Sequence, residues 1–571
     1  MRFVIATVLI ALSAALVLIG VAIKGPFDVA SRHQVDFQLD SAYSYAVIPT
    51  STLTKFPGEV SVRASGTDEI FYADARQRDI QDWIGTSNFV RLNLTNADKP
   101  DVTVITAGGE NANPEGSDMW RTAVKVKNTL NTKVDVAEDT AILLASDGFK
   151  HAPKDISVIW QVNNLINWPL VLIIGGLVLL LIGLILNIWT LRKIRKLRGP
   201  RRRIPKAPTG PKYRKRIKSD VPVRGRRRLG RKIAIVPASL ITLSLLSGCA
   251  GNQQEATQTE SGLPKAATVV VNDAQLQRIV REVASTVKNA DTNRDEPLLL
   301  SRVAGPALET RKIQYFLQTK NKKIPKLPDI VANPITVALP MQLPAEELGW
   351  QPRTIMVVTK TETTTRNPQM LVLQQATPRE NYKLWYLIDL LPTDFFPAVA
   401  AQDIGAISVD ADNEYLATKL RGIPFKYGDV INKGSASKFF DMFDLSADQF
   451  YAARSQDQAD NIEKLKKIKV AIRYQHSLGN PNILGMLTLE SGGLVAVAMN
   501  DTSIIRPQVR GAAVSVTELD HKILLNAPGS PTGLKIVYEN MMLFYVPVAG
   551  SEEKIRLVGA SQGILSVKAL D

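Results

Sequence analysis

Nineteen consecutive residues without a charge, Trp168 to Leu186, run almost directly into the most basic stretch of the chain. The uncharged run is long enough to span about 30 Å of hydrocarbon as a helix, with Trp168 and Trp189 placed as interfacial rings. From Arg192 to Lys232 there are 20 Lys and Arg against one acid, Asp220. A flank of this kind marks the cytoplasmic side of a span, because positive loops are retained there during insertion. The residues before Trp168 and those after Lys232 are therefore divided by a membrane crossing and a cytosolic loop. Removing those 20 bases and one acid from the chain's 70 and 54 leaves 50 and 53, so the remainder is close to neutral and the pI near 9.6 belongs to one loop.

Phe3 to Ile23 gives another 21 uncharged residues behind Arg2. It reads as a first membrane helix with its N-terminus inside, an anchor in preference to a cleaved signal. Residues 24–167 then lie outside, and residues 168–190 form the second span. Between the spans, short β-branched runs recur at 59–65, 88–96, 140–148 and 155–160, punctuated by Gly, Pro, Asn and Asp. That pattern predicts a mainly antiparallel, β-sandwich-like domain. Asn93-Leu94-Thr95 is a formal glycosylation triplet that reads as plain strand sequence.

After the basic loop at 191–232, Ile233 to Leu246 supplies 14 mostly apolar residues and ends close to the chain's single cysteine, Cys249. The length suits the apolar region of a secretory signal better than a full span. Leu246-Ser247-Gly248-Cys249 resembles a bacterial lipoprotein lipobox, with RGRRRLGRK as its basic lead and GNQQEATQTESG as its tether. The resemblance implies that the Cys249 thiol receives diacylglycerol and that the chain is cut before it. Its position, far inside the chain, leaves a second reading open, an uncleaved third anchor over 233–249. One cysteine excludes an intrachain disulfide framework and a Cys-based zinc cluster.

Past a linker at 250–271, Leu276, Ile279, Val280, Val283, Ala284 and Val287 fall on one helical stripe, capped by Asn272 or Asp273. A second helical stretch is expected at 297–319, then strands at 335–343, 353–362, 368–376 and 383–391. Helices followed by a meander resemble the nuclear transport factor 2-like α+β cone, which implies a curved sheet around a pocket. The order repeats, giving α+β units at 272–398 and 399–571. In the second, residues 410–467 are helical, with Ser446 as a cap and Phe439, Phe440, Met442 and Phe443 as core candidates. Strands are predicted at 468–477, 483–489, 494–505, 512–527, 533–548 and 554–568, with Ser491-Gly492-Gly493 as a hairpin turn.

Candidate chemistry is sparse. Gly559-Ala560-Ser561-Gln562-Gly563 has the G-x-S-x-G spacing of a nucleophile elbow, but no histidine comes after it, so a terminal turn is expected. His33, His151, His476 and His521 lack ligand spacing. Asp291 to Asp295 copies the start of a calcium loop, yet Glu296 and Arg302 stand where glycine and glutamate are needed. No cofactor is implied. The basic loop, broken by prolines, reads as a disordered strap contacting anionic lipid through Arg201, Arg202, Arg203, Arg214, Lys215, Arg216, Arg226, Arg227 and Arg228, with docking to an acidic cytosolic partner as the second reading. Tyr213 is its only interleaved aromatic, which argues against nucleic acid as a partner.

The whole resembles uncharacterised cell-envelope membrane proteins and lipoproteins of Gram-positive, actinobacterial type. The expectation is a multi-domain membrane protein with most of its mass outside the cell membrane. Its leading function is non-catalytic binding or scaffolding of an envelope partner or ligand. The alternative is an enzyme acting on cell-wall glycan or lipid.

Overall fold

The computed structural model describes residues 2–24, 32–40, 43–137, 139–161, 168–197, 268–360, 366–393 and 395–571. The strap arginines and lysines named above, the third apolar segment, Cys249 with Leu246, Ser247 and Gly248, and the tether lie outside the described residues. The chain divides into two units, residues 1–29 with 165–265, and residues 30–164 with 266–571.

In the first unit, α1 (Arg2–Lys24) and α4 (Trp168–Leu197) pack against each other. Both are long and apolar enough to cross a membrane. The contact is made by small residues seven apart: Ala6, Ser13 and Gly20 are buried on α1, and Gly176 and Gly183 on α4. A Cβ at Gly176 would stand 2.7 Å from Val17 Cγ2, and one at Gly183 2.8 Å from Ile10 Cγ1, so glycine is what lets the backbones approach. Val8, Leu18, Ile174 and Leu181 remain exposed, the surface expected of helices that face lipid.

The second unit begins with an eight-stranded sheet: β1 (Arg32–Gln38), β2 (Tyr45–Ile48), β3 (Glu59–Arg76), β4 (Phe89–Leu94), β5 (Pro100–Ile105), β6 (Thr122–Val134), β7 (Thr140–Ala145) and β8 (Asp155–Gln161). The order is β1-β8-β3-β7-β2-β4-β5, with β6 on the other edge of β3. The predicted sandwich would have two sheets; here one sheet does the work of both. β3 changes partner along its length, Glu59–Ser65 pairing β8 and Phe71–Arg76 pairing β7. Between them Gly66 has φ +93, and a Cβ there would meet Lys154 Cβ at 3.0 Å. The two arms share a core that contains Phe37, Val62, Val158 and Trp160 from one and Ile48, Tyr72, Leu92 and Leu144 from the other. Pairing is antiparallel except between β2 and β4. Lys125, Lys127 and Lys133 line the open edge strand β6, which discourages pairing with another chain. A short helix, α2 (Thr50–Leu53), comes after β2; α3 (Gln77–Ile84) comes after β3 and buries Ile80, Trp83 and Ile84 on the sheet's other face.

The C-terminal region opens with α5 (Asp273–Asn293), whose Asn272 and Gln275 form a reciprocal capping box and whose predicted apolar stripe is buried. Then come α6 (Glu296–Arg302), α7 (Gly305–Lys320) and a meander of β9 (Ile335–Pro340), β10 (Arg353–Thr359), β11 (Gln369–Gln375) and β12 (Lys383–Asp389). After β13 (Ser408–Val409), α8 (Ile423–Lys433) and α9 (Gln449–Lys467) precede β14 (Val470–Leu478), β15 (Leu484–Leu487) and β16 (Gly493–Pro507). The chain ends with β17 (Val514–Ser515), α10 (Leu519–Leu525), β18 (Gly529–Ser530), β19 (Leu534–Val546) and β20 (Arg556–Ala569). The second sheet runs β13-β15-β16-β19-β20, with β14 beside the far end of β16. Three details differ from expectation. Residues 410–467 are not helical throughout: α8 and α9 are separated by loops and single 3-10 turns, and of the expected core residues Phe443 is buried while Phe439, Phe440 and Met442 are half-buried. Residues 512–527 hold the short β17 and then helix α10 in place of one strand. Helix α9 is capped by Asp448, which accepts from Tyr451 N, while Ser446 bonds Asp444 instead.

The two sheets are not independent. One core joins Leu339, Val357, Leu371 and Tyr386 of the meander to Met486, Ala498, Met541 and Leu543 of the second sheet. The opposite face of the second sheet packs Val497, Met542 and Phe544 on α8 through Ile423, Tyr427 and Val430.

Candidate functional site

Strands of alternating pattern put every second residue on one face, and on the α8 face of the second sheet that alternation is interrupted by polar residues. Met499, Val497 and Met542 lie under α8, but the next positions outward are Asp501, Asn540 and His476, then Tyr538, Ser503 and Tyr474. Past the end of α8 the sheet is uncovered. A cleft of about 480 Å³ opens there, walled by Arg454, Gln458 and Asn461 of α9 and His521 of α10.

The polar group at its inner end is tightly bound. Arg454 Nη2 donates to Asp501 Oδ2 at 2.5 Å, and Asp501 is 1% exposed. His476 Nε2 lies 3.5 Å from Asp501 Oδ1, and neither ring nitrogen has a hydrogen-bond partner among the described residues. Burial pushes the His476 pKa down, against the attraction of Asp501, so the ring is neutral at pH 7. α8 closes over it: a Cβ on Gly428 would fall 2.1 Å from His476 Cβ. Nearer the mouth, His521 Nε2 and the Tyr538 hydroxyl are 2.7 Å apart, and burial, followed by the charge of Asp520, pushes Tyr538 up to about 12. Gln562 Nε2 donates to Asn540 Oδ1 at 2.9 Å. The outer end is apolar, formed by Ile472, Ile505, Val514, Val516, Leu534 and Ile536.

Buried on the opposite face of the same strands is Glu539, 3% exposed, its Oε2 without a partner among the described residues. Burial, then the charge of Glu309, pushes its pKa up to about 7.

The predicted motifs fall elsewhere. Ser561 is not in a terminal turn but in the middle of β20, opposite Met541. Its Oγ accepts from Asp389 N at 2.9 Å, tying the two sheets together. Gly559 and Gly563 have no positive φ; they are small because a Cβ would stand 2.9 Å from Asp389 O in one case and 2.6 Å from Thr310 Cγ2 in the other. Asp291 belongs to no calcium loop: it accepts from Arg311 and from the Tyr315 hydroxyl, each at 2.5 Å, and Asp295 caps α6. Among the described residues no group of His, Cys, Asp and Glu is placed to hold a metal. Of the histidines set aside for lack of spacing, His521 lines the cleft, and His476 is buried under α8 behind Arg454 and Asp501. The signal for them is Asn500-Asp501-Thr502 and Glu539-Asn540, polar insertions in two otherwise apolar strands.

Comparison with protein-family models, curated proteins and solved structures finds no match.

Proposed function

We propose that this chain is a non-catalytic, membrane-anchored binding protein of the cell envelope, and that its C-terminal region takes a small amphiphilic ligand in the cleft between α9 and α10. The observation that carries the reading is the division of the lining: an aliphatic end that includes Ile472, Ile505 and Ile536, and a polar remainder that includes Arg454, Tyr538 and His521 together with the charged Asp457, Lys464 and Glu518. Apolar enclosure with a few placed polar groups is the common character of small-molecule sites. The alternative, glycan hydrolysis, asks for two carboxylates facing one substrate. Asp501, the most buried carboxylate near the cleft, is occupied by Arg454.

In this reading α1 and α4 are the anchor, the N-terminus and the strap are cytosolic, and both β-rich regions are outside. The strap contacts anionic lipid, and Cys249 carries either acyl chains or the end of a third span. Helix α8 packed on one face of the second sheet supports the likeness to the nuclear transport factor 2-like cone.

Full-length protein purified in mild detergent from native membranes tests the cleft. Mass spectrometry of the organic extract is expected to find an amphiphile bound to the wild type and depleted at least tenfold from Ser503→Trp, whose indole fills the floor. Equal retention by both proteins places the ligand elsewhere, and an empty, folded wild type ends the proposal.

A further inference from the structure

The β domain and the C-terminal region meet along a seam whose two sides are separated in the chain by α4, the strap and the tether. Helix α3 is its centre. Asp79, 1% exposed, accepts from Arg76 Nη1 at 2.9 Å on its own side and from Arg353 Nη2 at 2.7 Å across the seam, the latter pair 274 positions apart. The C-terminal end of α3 is capped from the other side. Arg379, on the turn after β11, donates Nε to Trp83 O and Nη2 to Ile84 O, both at 2.9 Å, and also reaches Ser87 Oγ and Glu110 O. Its guanidinium lies over the Trp83 ring. Arg78 of α3 answers in the opposite direction, donating to Pro344 O at 2.5 Å and Gly349 O at 3.1 Å.

A second anchor forms at the loop before β6. Asp118, 2% exposed, takes both Nη atoms of Arg302 and the backbone N of Tyr382, while its own N–H donates to Asn381 Oδ1. Gln275 and Arg278 of α5 donate to the carbonyls of Met119 and Trp120. Arg76 holds the carbonyls of Val269 and Val270, where the tether enters.

Every buried charge at this seam has its partner on the other side or in a group that spans it, and a buried charge stripped of its partner is strongly unfavourable. Orphan helix carbonyls are satisfied across it as well. We infer that the seam is a subunit interface. The N-terminal part, with its membrane hairpin, is the receptor for the C-terminal part and holds it at the membrane without any connecting backbone. The partner it fits is the C-terminal region of this same chain, presented as a separate polypeptide. The inference is independent of the cleft and its ligand.

A protease recognition sequence inserted between Gln254 and Thr257 tests it, because the piece released contains neither the third apolar segment nor Cys249. The full chain is expressed in native membranes and cleaved there. The C-terminal piece is expected to sediment with the membranes through a high-salt wash and, after detergent extraction, to co-elute with the N-terminal piece. Arg78→Ala combined with Arg379→Ala, which removes cross-seam contacts while leaving the Asp79–Arg353 and Asp118–Arg302 ion pairs in place, is expected to raise the released fraction at least tenfold. Circular dichroism and resistance to a second protease establish that the released piece is folded. Release of a folded wild-type piece on cleavage overturns the inference, and so does full retention of the double variant.

Discussion

Glu539 is a carboxyl group that burial keeps protonated up to about pH 7. Its folded pKa of about 7 stands above the ordinary 4.5, so between those values the folded chain binds a proton that the unfolded chain has lost, and stability falls as pH rises. The difference amounts to about 3 kcal/mol once both states are ionised. Asn500 Oδ1, another buried acceptor without a donor among the described residues, faces the same glycine, Gly479. His476 has the opposite sign. Its folded pKa lies below 6.5, so its contribution is present above 6.5 and is lost on acidification. The two slopes offset each other through mildly acid pH. Glu539→Gln is expected to stabilise the protein, with a gap over the wild type that widens by about 2–3 kcal/mol from pH 5 to pH 8. Denaturant unfolding of both proteins at the two pH values measures it; a constant gap would falsify the assignment. Neither residue is legible in advance as part of a cluster, because each reaches its neighbours through strand pairing and not through spacing. What was visible is the anomaly of charge inside an apolar strand.

Elements of regular pattern were the most readable. The stripe of α5, the meander β9 to β12 and the long strands β16 and β19 stand close to where the pattern puts them, since α5 buries one stripe and β10, β11, β16 and β19 carry apolar runs that are buried on both faces. The misreading of 512–527 has a local cause. Val514 and Val516 alternate as in a strand, but from Leu519 the apolar residues are Ile523, Leu524 and Leu525, a helical step that ends at Asn526 in the left-handed region. The bent sheet was hidden for another reason: a strand that exchanges β8 for β7 at Gly66 reads as one long alternation. β20 shows how a motif misleads. Its glycines answer to neighbours on β12 and α7, not to catalysis. Gly559→Val and Gly563→Val are each expected to cost about 1–3 kcal/mol by overpacking, and Ser561→Ala about 1 kcal/mol for the lost bond to Asp389 N. Urea titration with equal slopes reads these directly, and a Ser561→Ala loss beyond the glycine variants would reverse the order of importance.

For the whole molecule, charge asymmetry is the organising fact, with +19 in the strap against a near-neutral remainder. Thr95 and Ser435 are exposed on the β domain and the C-terminal region. In a Cys249→Ser background, cysteines placed singly at these two positions are expected to react with an impermeant thiol reagent on intact cells, and a cysteine at Thr209 only after lysis. Reaction at Thr209 on intact cells sinks the three-segment topology. Two β-rich regions, one before α4 and one after it, were readable from the sequence. Their fusion into a single unit was not, because its contacts join positions such as Asp79 and Arg353 that no local pattern relates.

A chain made from its N-terminus completes the β domain long before Arg302, Arg353 and Arg379 exist. At about 5–20 residues per second the interval is roughly tens of seconds. Throughout that time Asp118 lacks its guanidinium, the last carbonyls of α3 lack theirs, and the outer face beside Trp83 and Trp120 lacks its lid. The first-born domain thus presents these groups unpaired until the C-terminal region is made, and a ribosome that stops early leaves them so.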